Sequence, residues 1–207
     1  MNNVIEIRTI GKTVEFEFKE KSSGFLAILF PIQSEEDFKK SFLKIKKTYF
    51  DATHHCYAYR LHDGAFKYSD DGEPGGTAGV RIHNALTHFD VTDAAIIVVR
   101  YFGGTKLGVG PLGKAYYHAA FSVIEKSSLL KKYAYKKFIL TVDFTDMNII
   151  HKIIDDYGGK ILTTNYSEKV SFEILFKQSD QLKIESRLKE FSESTLINSI
   201  TQDVEFL

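Results

Sequence analysis

Residues 94–114, AAIIVVRYFGGTKLGVGPLGK, join an unbroken apolar run to a loop that is rich in glycine and basic residues. The run at 94–99 is apolar at every position, which is typical of a strand that is buried on both faces. A second glycine-rich segment, SDDGEPGGTAG at 69–79, carries three acidic residues. Glycine-dense loops beside a core strand mark places where the backbone turns tightly or approaches another group closely. We therefore expect one acidic and one basic loop to leave the same sheet.

The composition of the 207-residue chain is that of an ordinary globular protein, with 43% hydrophobic and 26% charged residues. Basic and acidic residues both number 27, so the formal net charge is zero. This balance excludes nucleic-acid binding through bulk charge, and any anion site must be a local patch. One cysteine and an N-terminus without signal-like features predict a cytoplasmic protein, and the apolar runs are too short to span a bilayer.

The first 131 residues predict a domain that mixes strands and helices. Apolar patterns indicate strands at 14–18, 25–30, 56–61, 66–69 and 94–100, and helices at about 35–49, 80–88 and 111–126. Ser34 is a favourable N-cap for the first helix, and Thr77 is available to cap the second. We expect an α/β sandwich on a mixed sheet.

Residues 132–207 predict a second domain, which follows a short polar joint at 130–132. Strands are indicated at 138–144, 160–166, 170–176 and 197–206, with helices after Asp146 and from Asp180 to Phe191. The order β-α-β-β-α-β is the ferredoxin-like plan. The predicted fold class is therefore α+β, with two domains.

Three motifs carry a resemblance to a known family. They are ATHHCYAY at 52–59, DDGEPGGTAG at 70–79 and VVRYFGGTKLG at 98–108. Together, in this order and spacing, they resemble the signature of the IMPACT/YigZ family. Two positions depart from the family's pattern, since Gly75 stands where Ser or Ala is more frequent and Pro111 where glycine is common.

The resemblance implies both a fold and a role. Bacterial members of the family have a first domain that resembles a small-subunit ribosomal protein and a second that resembles a domain of elongation factor G. Eukaryotic members restrain a starvation-responsive kinase of translation initiation by binding the activator of that kinase. What carries over to this chain is an expectation of translation regulation by binding.

The basic loop predicts an anion or RNA site. Its candidate residues are Arg100, Tyr101, Phe102, Gly103, Gly104, Lys106 and Lys114. The cations suit phosphate, and exposed aromatic rings beside them can stack on the bases of single-stranded RNA. Backbone N–H groups at the start of the 111–126 helix can also bind an anion. Alternatively, the glycines only allow a tight loop to pack on the sheet, and part of the aromatic residues belongs to the core.

The segment from Gly108 to Ala115 nearly spells the phosphate loop of nucleotide hydrolases. That loop needs Ser or Thr after the lysine to hold magnesium, and here Ala115 follows Lys114. Pro111 also removes a backbone N–H that the phosphate cradle would use. The sequence therefore argues against a nucleotide hydrolase of this kind.

The acidic loop has two interpretations. Asp70, Asp71 and Glu73 can hold a divalent cation or supply paired carboxylates for acid–base chemistry. The same residues can instead cap the next helix and pair with Arg81 or Arg100, and this structural or docking role is favoured. No nucleophile motif lies beside them.

The motif histidines, His54 and His55, precede Cys56 in a predicted strand region. Neighbouring strand residues point to opposite faces, so the two histidines are poorly placed to share one metal ion. We expect a hydrogen-bonded histidine and a small buried cysteine. We assign no metal site, no cofactor and no catalytic residue.

These observations favour a non-enzymatic cytoplasmic factor that binds RNA, the ribosome or a translation-associated protein. The alternative is a metal-assisted hydrolase, or another small-molecule enzyme, in the cleft between the acidic and basic loops. A third hypothesis is a docking module that binds a protein through its second domain.

Overall fold

The computed structural model describes residues 5–191, 196–201 and 204–207, and its chain forms two compact units. The first unit is Arg8–Lys131, and the second contains residues 132–207 together with residues 5–7. Within the described residues the fold is α+β, with two antiparallel sheets and five α-helices. The strands are β1 (Glu6–Ile10), β2 (Val14–Glu20), β3 (Ser23–Pro31), β4 (His54–Arg60), β5 (Phe66–Ser69), β6 (Ala94–Tyr101), β7 (Leu129–Val142), β8 (Lys160–Tyr166), β9 (Val170–Lys177), β10 (Leu196–Ile200) and β11 (Glu205–Phe206). The helices are α1 (Glu35–Thr48), α2 (Gly79–His88), α3 (Val109–Glu125), α4 (Met147–Tyr157) and α5 (Gln181–Phe191).

The first unit is built on a five-stranded antiparallel sheet in the order β2-β3-β6-β4-β5. Its central strand, β6, is fully buried from Ala94 to Val99, which confirms the buried strand that the apolar run predicts. α2 and α3 pack on one face through residues such as Ile82 and Tyr116. α1 packs on the other face through Phe38. The sheet is therefore the middle layer of three, and both glycine-rich loops begin at its strand ends.

The second unit places α4 and α5 on a sheet in which β10, β7, β9 and β8 are neighbours in that order. The core between helices and sheet contains Phe138, Phe172, Ile150 and Ile184. The element order from β7 to β10 is β-α-β-β-α-β, as the apolar pattern indicates. The predicted last strand is interrupted, because β10 ends at Ile200 and β11 begins at Glu205; residues 202–203 lie outside the described part.

Three features of the backbone differ from the sequence prediction. The mixed sheet expected in the first unit is wrong, because all of its strand pairs are antiparallel. The polar joint expected at 130–132 lies inside β7, which already begins at Leu129. Four of its first five residues are exposed, and Lys131 and Lys132 make this part of the sequence polar, so the start of the strand is not apparent from the sequence. β1 was not predicted, because it is short and pairs with β7, which is distant in the sequence. Just before β1, the Ile5 carbonyl accepts a hydrogen bond from the Ala134 N–H at 2.8 Å.

Within the described ranges, each helix is too short or too polar to cross a lipid bilayer.

Candidate functional site

The acidic loop begins with a carboxylate that caps a helix. Asp70 accepts hydrogen bonds from the backbone N–H groups of Gly76 at 2.9 Å, Ala78 at 2.9 Å and Gly79 at 2.8 Å. Burial alone would raise the pKa of Asp70, but these three bonds favour the ionised form more strongly, and its pKa is lowered. Asp70 therefore satisfies the free donors at the start of α2. Thr77 does not cap this helix, because its hydroxyl donates to the Pro74 carbonyl instead.

The next carboxylate fixes strand β4. Asp71 has a left-handed backbone conformation, with φ of 41°, and its carboxylate accepts a hydrogen bond from the His55 backbone N–H at 2.7 Å. The carbonyl of Asp71 accepts from His54 Nδ1 at 2.8 Å. His55 points the other way, and its Nε2 donates to the Tyr49 carbonyl at 3.0 Å. The two histidines thus occupy opposite sides of β4 and hold the loop and the helix end beside it.

The third carboxylate lies at the centre of a buried polar network. Arg100 Nη1 donates to Glu73 Oε1 at 2.5 Å, and both side chains are at most 5% exposed. The Tyr116 hydroxyl donates to the same oxygen at 2.7 Å. His54 Nε2 lies 3.8 Å from the other oxygen, Glu73 Oε2. A second guanidinium nitrogen of Arg100 donates to Ser23 Oγ at 3.2 Å. The network joins β3, β4, β6, α3 and the acidic loop.

This network contains no activated nucleophile. Burial strongly raises the pKa of the Cys56 thiol, and nearby carboxylates raise it further despite a hydrogen bond with Tyr116. Burial also raises the pKa of the Tyr116 hydroxyl, which therefore stays protonated and donates to Glu73. A reactive thiolate needs the opposite environment, with a positive charge and access to solvent.

The three carboxylates of the acidic loop do not converge on one point. Asp70 is committed to α2, Asp71 to β4 and Glu73 to Arg100. Nowhere in the described ranges do three His, Cys, Asp or Glu side chains form a group that could hold a metal ion. The geometry thus favours capping and ion pairing over a cation site in this loop.

The basic loop does not present all of its predicted ligands to solvent. Arg100 is buried and paired, so it supports the loop from below and is not a surface contact for phosphate. Gly103 passes so close to the Ser22 backbone that any Cβ would overlap with it. Gly104 adopts a left-handed φ of 83°, and Lys106 beyond it is exposed. Gly103 and Gly104 are thus explained by close approach and turn geometry.

An open groove lies between this loop and the β2–β3 hairpin. We call it the aromatic groove; it has a volume of about 560 Å³ and is lined by Glu17, Phe18, Lys19, Ser22, Gly24, Phe25, Leu26, Tyr49, Tyr101 and Phe102. Phe102 is 44% exposed and Tyr101 37% exposed. The Arg100 guanidinium carbon lies 5.5 Å from the centre of the Phe102 ring and 5.4 Å from that of Phe25. The buried network therefore fixes the floor of the groove.

A second depression lies between two helices on the other side of the loop. We call it the α2–α3 cavity; it has a volume of about 430 Å³ and is lined by Arg81, Asn84, Val109, Gly110, Gly113, Lys114 and Tyr117. Lys114 is exposed on the first turns of α3. The predicted site residues are thus divided: Tyr101 and Phe102 share the groove, and Lys114 belongs to the cavity.

The family model described as the Impact N-terminal domain matches residues 21–124, which include both loops and the buried network. The chain belongs to the IMPACT family. It is 30% identical over 174 residues to the IMPACT family member YvyE of Bacillus subtilis, covering 83% of this chain and 80% of that protein. It is 27% identical over 180 residues to the IMPACT family member YigZ of Escherichia coli, with coverage of 85% and 88%.

Other relatives of this IMPACT chain match a shorter part. The Protein IMPACT homolog of Dictyostelium discoideum is 38% identical over 106 residues, which are 48% of this chain and 29% of that protein.

A crystal structure of a hypothetical protein superposes with a TM-score of 0.67 at 24% identity, covering 99% of this chain and 97% of that one. At this identity the likeness supports the α+β fold alone.

Sequence reasoning missed several residues of the site. Ser23 and Tyr116 join the Arg100–Glu73 pair, although they lie 77 and 16 residues away from Arg100 along the chain. Arg81 and Asn84 line the α2–α3 cavity; in the sequence Arg81 was considered only as an ion-pair partner of the acidic loop, and Asn84 was not considered. The aromatic residues of β2 gave a detectable signal, since Phe18 alternates with charged residues on an edge strand of this IMPACT domain.

Proposed function

We propose that this IMPACT family chain is a non-enzymatic cytoplasmic factor that binds single-stranded RNA in the aromatic groove and acts in translation regulation. The observation that carries the proposal is the pair of exposed rings, Tyr101 and Phe102, beside a lysine on the β2–β3 hairpin. Rings that are exposed yet held in place are the platforms on which unpaired bases stack.

Phe102 is held by two independent contacts. Its backbone N–H donates to Thr53 Oγ1 at 3.1 Å, and its ring lies over the buried Arg100 guanidinium. Tyr101 is held through its hydroxyl, which donates to Asp51 at 2.9 Å. Ordering these rings in advance lowers the entropic cost of binding a flexible strand. Stacking on such a ring contributes about 1–3 kcal/mol per base, independent of sequence.

The charges around the groove suit a phosphate backbone. Lys19 lines the groove, and Lys21 and Lys106 are exposed on the two loops that border it. Glu17 lies in the same lining and would repel a phosphate at that position, so the strand is expected to pass on the side of the lysines. A local cationic rim of this kind is what a chain of zero net charge needs to bind RNA.

A role in translation regulation is supported by the family and by the fold. Proteins of Dictyostelium discoideum and Saccharomyces cerevisiae that carry the name IMPACT homolog match about half of this chain. We further propose that the first unit resembles a small-subunit ribosomal protein and the second a domain of elongation factor G. On this account the RNA partner belongs to the ribosome, and a translation-associated protein is the alternative partner.

The proposal is tested by titrating salt in binding assays with short single-stranded RNA, duplex RNA and single-stranded DNA. We expect single-stranded RNA to bind better than duplex RNA, with an affinity that falls steeply as salt increases, because phosphate contacts release counterions. The Lys19→Glu and Lys106→Glu variants should bind more weakly and show a smaller salt slope. Equal binding of the lysine variants, or no binding at low salt, would refute the proposal.

A further inference from the structure

The α2–α3 cavity is lined by cationic and amide side chains and by no carboxylate. Arg81 and Asn84 come from α2, and Lys114 and Tyr117 come from α3, so the two helices face each other across it. In this respect the cavity differs from the aromatic groove, whose lining includes the carboxylate of Glu17. An uncompensated positive lining predicts an anionic ligand.

The cavity holds one anchored donor, Arg81, and two exposed donors, Asn84 and Lys114, none of which is saturated with partners. Arg81 Nε donates to the Gly76 carbonyl at 3.3 Å, which anchors the side chain and leaves both terminal guanidinium nitrogens without a partner in the described ranges. Neither the Lys114 ammonium nor the Asn84 amide has a partner among the described residues. An anchored arginine presents its forked donors with little further loss of side-chain entropy on binding.

Two glycines inside α3 shape the cavity. Glycine within a helix is less favourable than alanine, so its presence at each of these two positions needs a structural or functional reason. At Gly113 the reason is contact, because a Cβ would lie 3.3 Å from Arg81 Nε. At Gly110 a Cβ would meet no atom within 4 Å, and φ is not left-handed. Gly110 is thus required neither by packing nor by conformation, but it keeps the cavity open.

We propose that the α2–α3 cavity binds a terminal phosphate group of a nucleotide. The guanidinium of Arg81 would engage two phosphate oxygens, and the Lys114 ammonium would add a point charge. The free backbone N–H of Gly110 lies in the first turn of α3, where an anion is favoured. The cavity volume of about 430 Å³ falls in the range of small-molecule sites, which leaves room for a nucleoside beside the Tyr117 ring.

This site does not depend on RNA binding in the aromatic groove. Its ligand is either a free nucleoside monophosphate or the 5′-phosphate of an RNA strand, since both present the same group. A chain that failed to bind RNA through Phe102 would still be expected to bind inorganic phosphate here. The two proposals therefore fail separately.

The test is a titration of the ¹⁵N-labelled full chain with inorganic phosphate at low ionic strength, followed by NMR. We expect saturable shifts of the amide signals of Gly110 and Gly113. Arg81→Gln and Lys114→Gln should each raise the dissociation constant at least about fivefold, as expected for loss of one charge-assisted contact. Lys12→Gln, which removes an exposed lysine outside the cavity, is the matched control and should bind as the native chain does.

Gly110→Ala separates a ligand site from a structural feature. The added methyl group should stabilise α3 and yet weaken phosphate binding, a combination that a purely structural glycine would not give. Adenosine monophosphate and a pair of short RNAs with 5′-phosphate or 5′-hydroxyl ends then distinguish the two sources of the phosphate. Shifts that do not saturate, or equal affinities in Arg81→Gln, Lys114→Gln and Lys12→Gln, would overturn the proposal.

Discussion

Glu73 and Arg100 form an ion pair in which both side chains are almost completely buried, with Nη1 and Oε1 2.5 Å apart. The pair connects the acidic loop to the end of β6, and Tyr116 adds a hydrogen bond from α3. Removing water from two charges is costly, so such a pair is favourable only when both charges are present and well bonded. It fixes the two glycine-rich loops relative to one another and places Phe102 at the floor of the aromatic groove.

The first prediction concerns this pair. Glu73→Gln should lower the free energy of unfolding by about 3–5 kcal/mol, because it leaves Arg100 buried without a counter-charge. Urea denaturation followed by circular dichroism measures the change. Glu36→Gln is the control, since its partner Lys40 is exposed and the loss should be small. A similar, small loss in both variants would show that the buried pair does not stabilise the loops.

The second prediction concerns Asp70. Asp70→Ala should destabilise the protein by about 1–2 kcal/mol at pH 7, the range expected for a lost helix cap. The pKa of Asp70 is lowered from its ordinary value of 3.8, so its stabilising effect is fully present above that pH. The effect is lost as the pH falls through the lower folded-state pKa. The difference in unfolding free energy between the two proteins should therefore narrow below pH 4, and a constant difference would contradict the capping role.

The third prediction concerns Cys56. Burial raises the pKa of its thiol, so the native protein should react very slowly with iodoacetamide at pH 8. Addition of denaturant should make the same thiol react at the rate of a free cysteine, as measured by mass spectrometry. Fast labelling of the native protein would show that the thiol is accessible and ionised.

The fourth prediction compares two helical glycines. Gly79→Ala should be destabilising, because its methyl carbon would lie 2.7 Å from the Ser69 backbone and the loop would have to shift. Gly110→Ala meets open space and should raise the melting temperature. Thermal unfolding of both variants tests the contrast. Stabilisation by both substitutions would mean that the acidic loop does not pack against the start of α2 as described.

Local patterns were sufficient to predict much of the first unit. β6 was recognisable because its apolar run has no polar break, and the acidic and basic loops were recognisable by their glycines. The surface role predicted for Arg100 is not supported, since a charged residue at a strand end gives no indication of the loop that covers it. Pairing of the acidic loop with Arg81 or Arg100 was favoured from the sequence, and the ion pair is indeed made with Arg100. That Glu73 is the partner, 27 residues away, is not indicated by any local periodicity.

Other differences have the same physical origin. The capping role favoured for the acidic loop is found at Asp70, nine residues before Gly79. Thr77 was also available as the cap because it lies next to the helix, but this is wrong, since its hydroxyl donates to the Pro74 carbonyl. The start of β7 combines an exposed apolar pair with Lys131 and Lys132, so its sequence resembles a polar joint and not a strand. These features depend on contacts between residues that are distant in the sequence, so they could not be predicted from short stretches of it.

The most direct test of the proposed function compares Phe102→Ala with Phe50→Ala in binding to short single-stranded RNA at one fixed salt concentration. Phe50 is 83% exposed and does not line the aromatic groove, so it is a matched control for loss of a surface ring. We predict that Phe102→Ala lowers the affinity about tenfold, in keeping with the loss of one stacked base, while Phe50→Ala binds as the native chain does. Equal affinity of the two variants would contradict RNA binding in the aromatic groove.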